Sequence, residues 1–305
     1  MFQPIDRFTP WEHKRRNLLL WFCKPAGRVP STSVIADHLP PQQRITAVCI
    51  SDTHNTKPHI PDGDVLFHTG DLTSFGTATE LQDQLDWLAS LPHRHKVLIA
   101  GNHDKVLDET YVEVRRDLGR REDINWHDLT YLRSSSVTLQ FPELDRSLKV
   151  YGDPLTPIYG GWAFQHRRKD DTWKNTVPAG TDVLLAHGPP LGHIDNGKGS
   201  PWLLRELRRA RPRLLICGHI HEARGLEVIN HADWDDWARD RLNQFTTPGI
   251  VEVIATIAVL LFGWMYSAVV GKRAPQNTLL VNAASMGRIG QRKEADEASG
   301  VVVYL

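Results

Sequence analysis

Five short polar motifs, each directly after an apolar run of strand length, constrain this chain more than any other feature. They are Asp52-Thr53-His54, Gly70-Asp71, Gly101-Asn102-His103-Asp104, His187-Gly188 and Gly218-His219-Ile220-His221. Ile45–Ile50, Val65–Phe67, Val97–Ala100, Val183–Ala186 and Leu214–Cys217 precede them. Residues that follow strands collect at one edge of a sheet, so the spacing describes one site rather than scattered side chains. Thr77-Ala78-Thr79-Glu80 has capping-box spacing and opens a helix with Leu81, Leu85 and Leu88 on one face. Ser200-Pro201 opens another helix. Strands alternating with helices predict an α/β architecture with site residues on the connecting loops.

The motif side chains suit divalent cations. A pair of cations close enough to hold both the attacking and the leaving oxygen of a phosphoryl transfer needs a shared ligand, and a carboxylate has two oxygens for the task. Asp71 is the expected bridge. Asp52 and His54, two residues apart, can reach one ion; His219 and His221 repeat that spacing. Asn102 offers a neutral carbonyl oxygen, which limits charge repulsion against a phosphate, and His187 completes the set. A water held between two such ions becomes a hydroxide nucleophile near neutral pH. His103 is left to donate a hydrogen bond or a proton to the phosphoryl group. Asp104 beside it is expected to orient that imidazole. His68, inside an apolar run, reads as a satisfied core residue.

In order and spacing these motifs resemble the calcineurin-like metallophosphoesterase superfamily. Ile50-Ser51-Asp52-Thr53-His54, Tyr151-Gly152-Asp153-Pro154, Gly161-Trp162-Ala163-Phe164, His187-Gly188-Pro189-Pro190, Gly218–Glu222 and Asn282-Ala283-Ala284 look like its metallophosphoesterase-domain-containing branch. The resemblance implies a four-layer α/β/β/α sandwich of the metallo-dependent phosphatase type; an apolar helical insertion before the last strands is where this chain departs from the compact family pattern. It implies two divalent metal ions, one on Asp52, His54, Asp71 and His221, the other on Asp71, Asn102, His187 and His219. Mn²⁺, Fe and Zn²⁺ all suit such mixed ligands. His103 falls at the family's catalytic-histidine position. The implied activity is a phosphodiesterase on small phosphate esters such as cyclic nucleotides. A phosphomonoesterase or pyrophosphatase of the same fold is the alternative, and a weakly active nucleotide-binding scaffold is the rival from another class. Segments 153–164 and 189–193 are expected to line the pocket, with His193 as a substrate contact or an ordinary loop histidine.

The remainder bounds organisation. Residues 1–44, punctuated by prolines, read as an N-terminal extension, and 45–305 as the catalytic domain, interrupted at about 227–277. Lys plus Arg equals Asp plus Glu at 36 each, which gives no support for a nucleic-acid polymer as partner. The three cysteines and the lack of a leader-like start lead to the expectation of a reducing, intracellular compartment, with Cys49 and Cys217 as buried thiols. The uncharged run Ile254–Gly271 would span roughly 27 Å as a helix, so hydropathy suggests one transmembrane helix at about 250–271. A single crossing would strand Thr278–Leu305 away from the sheet they resemble. The preferred reading is therefore a helix at a membrane surface over 250–273, aided by a basic aromatic segment at 11–22. A soluble cytoplasmic protein is the alternative.

Overall fold

A computed structural model describes residues 33–35, 39–113, 115–231, 277–285 and 300–305, with a few separate positions between 254 and 265. Among the described residues, two six-stranded sheets occupy the middle of the molecule. The first has the spatial order β1 (Ser33–Ile35), β14 (Val301–Tyr304), β2 (Thr46–Ile50), β3 (Val65–His68), β4 (His95–Leu98), β5 (Thr130–Tyr131). The second runs β12 (Gly225–Asn230), β13 (Asn277–Asn282), β11 (Leu214–Cys217), β10 (Val183–Ala186), β7 (Arg146–Asp153), β6 (Ser135–Phe141). β2 to β5 are parallel, as are β7, β10, β11 and β13; β6 and β12 pair antiparallel with their neighbours in the second sheet, as β14 does with β2 in the first. A small parallel ribbon, β8 (Thr156–Pro157) with β9 (Gln165–His166), stands apart.

Strand alternation builds the layers. Ala47 and Cys49 of β2 face the second sheet across a core that includes Phe67, Phe141, Val183, Ile216 and Val281. Val48 and Ile50 face outward onto helix α1 (Ala78–Ser90), whose Leu81, Leu85 and Leu88 are buried there. On the far side, Leu184, Leu215 and Cys217 meet Leu203 and Leu207 of a helix over Pro201–Ala210. Parallel strands covered on both faces read as continuous apolar runs, as these do. The result is the α/β/β/α sandwich. The Thr77–Glu80 capping box closes in both directions at 3.2 Å, and the Ser200 hydroxyl accepts from Leu203 N at 3.2 Å; each such cap contributes about 1 kcal/mol. Cys49 and Cys217 are free and buried.

Two boundaries differ from the sequence reading. Ser33–Ile35 was expected within the extension, yet it forms β1 beside β14. Gly225–Asn230 was expected to reach into the insertion, yet it forms β12 in register with all of β13. Most of the insertion, and all of 11–22, lie outside the described residues. Among the described residues, no helix is long and apolar enough to cross a membrane. That finding contradicts the membrane-associated placement read from the sequence, and a membrane surface as partner finds no support among the described residues. Hydropathy scores only the composition of a window, and most of this window lies outside the described residues.

Candidate metal centre

The loops after β2, β3, β4, β10 and β11 all leave the C-terminal ends of parallel strands at one edge of the sandwich. Three of them leave it in strained backbone: Asp52 (φ 57°), His54 (φ 42°), Asp71 (φ 55°) and His219 (φ 65°) all sit in the left-handed region. A non-glycine residue there costs roughly 1 kcal/mol, and such residues gather where a site over-determines them. Two glycines permit the crowding. A Cβ on Gly101 would overlap Asp71 Oδ1 and His187 Cε1, and one on Gly218 would overlap Asp52 Oδ2.

Three overlapping groups offer ligand atoms within 4.8 Å of one another: Asp52, His54 and His221; His54, Asp71 and His103; Asp71, His187 and His219. Asp71 belongs to two of them and turns one oxygen to each side. Its Oδ2 lies 3.7 Å from His54 Nε2, and its Oδ1 lies 3.4 Å from His187 Nε2. Asn102 Oδ1 is 3.1 Å from His187 Nε2. Asp52 accepts from His219 N with both oxygens, at 3.1 and 3.0 Å, and its Oδ1 is 3.1 Å from His221 Nε2. The structure thus brings all seven expected ligands into one cluster.

The donor set fits a cation. A carbonyl only accepts, so His187 Nδ1, 2.8 Å from Thr69 O, carries the hydrogen of that bond. Its Nε2 then faces two oxygen acceptors, Asp71 Oδ1 and Asn102 Oδ1, with no donor between them. A neutral imidazole is mismatched there unless a positive charge fills the gap. Burial alone would lower the His187 imidazole, yet the Asp71 charge raises it to about 9, the same demand expressed through a proton. His54 repeats the pattern, with Nδ1 donating to Thr73 O at 3.1 Å and Nε2 turned toward Asp71. A carbonyl behind an imidazole is the arrangement that fixes the tautomer of a metal-ligating histidine. Burial opposes ionisation of Asp52, but the hydrogen bond from His221 holds it down to about 2; Asp71 is held well below the usual carboxylate range against burial, chiefly by His187. Burial and then the His187 charge push His219 down to about 4.

His103 lies beside this cluster. Its backbone N donates to Asp71 Oδ1 at 2.7 Å, its Nδ1 donates to Ser74 O at 2.8 Å, and its ring stacks on Trp162 with centroids 4.2 Å apart. Asp104 does not orient this imidazole, contrary to the sequence reading. Its carboxylate accepts from Gly101 N (2.8 Å), Thr73 N (2.9 Å) and Thr73 Oγ1 (2.8 Å), lacing the loop after β3 to the loop after β4. Ser74 and Trp162 hold the ring instead. Of the two readings left open for His193, burial favours the ordinary histidine: it is fully buried, with Nδ1 2.7 Å from Glu227 Oε1 on β12. His68 is a satisfied core residue, with Nδ1 accepting from Gly70 N at 3.2 Å and Nε2 3.0 Å from Thr53 Oγ1. Sequence reasoning missed the carbonyls of Thr69, Thr73 and Ser74, because backbone acceptors leave no residue signature. Asn282, noted only within a motif, donates to Ile220 O at 3.0 Å, between His219 and His221.

The chain is also similar to known proteins. A family model described as calcineurin-like phosphoesterase matches residues 34–223. The human protein named metallophosphoesterase domain-containing protein 1 is 36% identical over 200 residues, covering 59% of this chain and 61% of that protein. A UPF0046 protein of Caenorhabditis elegans is 33% identical over 222 residues, covering 68% of this chain and 74% of its own length. A protein of Emericella nidulans named probable rhamnogalacturonate lyase C is 39% identical over 259 residues, 83% of this chain but 24% of that protein. The chain therefore spans about a quarter of the fungal relative and under two thirds of the human one, and the lyase name describes that longer protein as a whole. With its motifs, its sandwich and its cluster of aspartates and histidines accounted for, the chain belongs to the calcineurin-like phosphoesterase family.

Proposed function

We propose that the chain is a metal-dependent phosphoesterase, acting as a phosphodiesterase on small phosphate esters with cyclic nucleotides among them. The observation that carries this reading is Asp71, whose two oxygens face imidazoles on opposite sides. Asp52, His54, Asp71 and His221 would hold one divalent cation, and Asp71, Asn102, His187 and His219 the other. Mn²⁺, Fe and Zn²⁺ remain equally suited to these ligands. Such a pair, which this family uses, supplies Lewis acidity at the phosphoryl oxygens and lowers the pKa of a water toward roughly 7.

The chain's own groups do the rest. With two divalent cations bound, two carboxylates among neutral imidazoles would leave a net positive charge for an anionic ester, and the neutral Asn102 amide avoids adding a third negative charge. Ser74 O takes the His103 Nδ1 hydrogen, which leaves Nε2 as the nitrogen available to a bound ester. Protonated there, Nε2 can donate to the leaving oxygen, a contribution of roughly 10²–10⁴ in rate for a positioned general acid. The Trp162 face keeps that ring from rotating.

The test is hydrolysis of bis-p-nitrophenyl phosphate with and without Mn²⁺, wild type beside Asp71→Ala. Metal-dependent nitrophenol release, lost in the variant, is the expected result. Turnover of p-nitrophenyl phosphate alone would move the assignment to a phosphomonoesterase. No turnover of either ester by metal-loaded protein would leave a nucleotide-binding scaffold in place of an enzyme.

A further inference from the structure

The loop that carries Asn102 and His103 also carries a cation that the reaction above does not use. Lys105, half-buried, holds its Nζ 4.8 Å from the Trp162 ring centroid and 6.0 Å from that of Tyr111. Trp162 is the ring that stacks on His103, with planes 28° apart. The Tyr111 hydroxyl donates to Gly161 O at 3.2 Å, which ties the loop carrying Trp162 to the segment after Lys105. Lysine, tryptophan and histidine therefore form one connected ledge at the edge of the cluster.

Among the described residues, the Lys105 ammonium makes no hydrogen bond and no ion pair. The acidic groups whose charge reaches it are engaged elsewhere. Glu80 accepts from Asn55 Nδ2, Phe75 N and Thr77 N, and Asp117 is paired with Arg115, the other cation acting on Lys105. An ammonium has three donors, and contact with a ring face uses none of them. Three unused donors on a half-buried cation, one ring away from His103, are a place for an anion.

We propose that Lys105, seated on Trp162, is a second anion subsite beside His103, and that it selects phosphate esters bearing another phosphate near the scissile one. This rests on the phosphoesterase reading of the same site and names its substrate class. A charge-assisted hydrogen bond to a phosphate oxygen favours the doubly phosphorylated ester by roughly tenfold or more.

The experiment compares adenosine 2′,3′-cyclic phosphate with the same compound carrying a 5′-phosphate, using Mn²⁺-loaded wild type, Lys105→Met and Lys105→Arg. The expected wild-type kcat/KM is at least tenfold higher for the 5′-phosphorylated ester, mainly through KM. Lys105→Met brings the ratio close to one, and Lys105→Arg keeps most of it. A wild type without preference overturns the subsite. So does a Lys105→Met variant in which both esters slow equally, since that makes Lys105 a support for the Trp162–His103 stack. Calorimetric binding of the two compounds to the same three proteins is read alongside. If neither ester is hydrolysed, the phosphoesterase reading fails, and the calorimetric ratio alone decides the role of Lys105.

Discussion

The two sheets contribute unlike halves to the site. Loops of the first bring both carboxylates, Asp52 and Asp71, with His54, Asn102 and His103; loops of the second bring only imidazoles, His187, His219 and His221. Strain is divided the same way, with three left-handed ligand residues on the first half and His219 alone on the second. The halves are joined through the carboxylates: Asp52 takes the backbone N of His219 and the ring of His221, and Asp71 faces His187. Ser285, just past β13, adds a tie by donating to Ser51 O and Asp52 O at 2.8 Å each. Neither sheet alone brings enough of the proposed ligands for two cations, so the cluster is a consequence of the sheets packing across their shared core.

The most damaging change is one that touches both halves. Asp71→Ala should lower kcat/KM by roughly a thousandfold or more, because in the proposed arrangement the shared carboxylate would hold both cations for the displacement. A variant retaining a tenth of the activity would show that the halves work separately. His103→Ala acts on one half only. It should slow kcat by about a hundredfold while metal content stays that of wild type, as expected for a general acid outside the ligand set; metal loss on desalting would make His103 a ligand instead.

Smaller effects sharpen the division between chemistry and support. Asp104→Asn removes a carboxylate that receives Gly101 N, Thr73 N and the Thr73 hydroxyl, which should cost about 1–3 kcal/mol of stability in urea unfolding. Activity at saturating metal should fall by only several-fold, and a loss matching His103→Ala would restore Asp104 to the reaction. His193→Gln should change activity least, within about threefold, while destabilising the fold by about 1–3 kcal/mol by weakening the buried His193–Glu227 hydrogen bond. A selective rise in KM would return His193 to the pocket.

The same division explains what could be read in the chain. Motifs at the ends of β2, β3, β4, β10 and β11 were legible because strand-length apolar runs and metal-suited residue types coincide there. The layers followed, since α1 and the Pro201–Ala210 helix announce themselves with caps and apolar faces. β8 and β9, two residues each, have no length over which a period could show, and β6 exposes most of its outward positions. Asp104 was misread because its partners come from the neighbouring loop, more than thirty positions away in Leu72 and Thr73. For His193, left open between a substrate contact and an ordinary loop histidine, proximity to His187 in sequence gives no notice that β12 delivers Glu227 to it. Both cases concern pairings made by the fold rather than by adjacency.

The central claim is that one carboxylate joins two cations across the two sheets. The direct measurement is the metal content of wild type and Asp71→Ala after loading with Mn²⁺ and desalting. Two ions per chain in the wild type and fewer than one in the variant is the result this account predicts. Two ions retained by Asp71→Ala would contradict it.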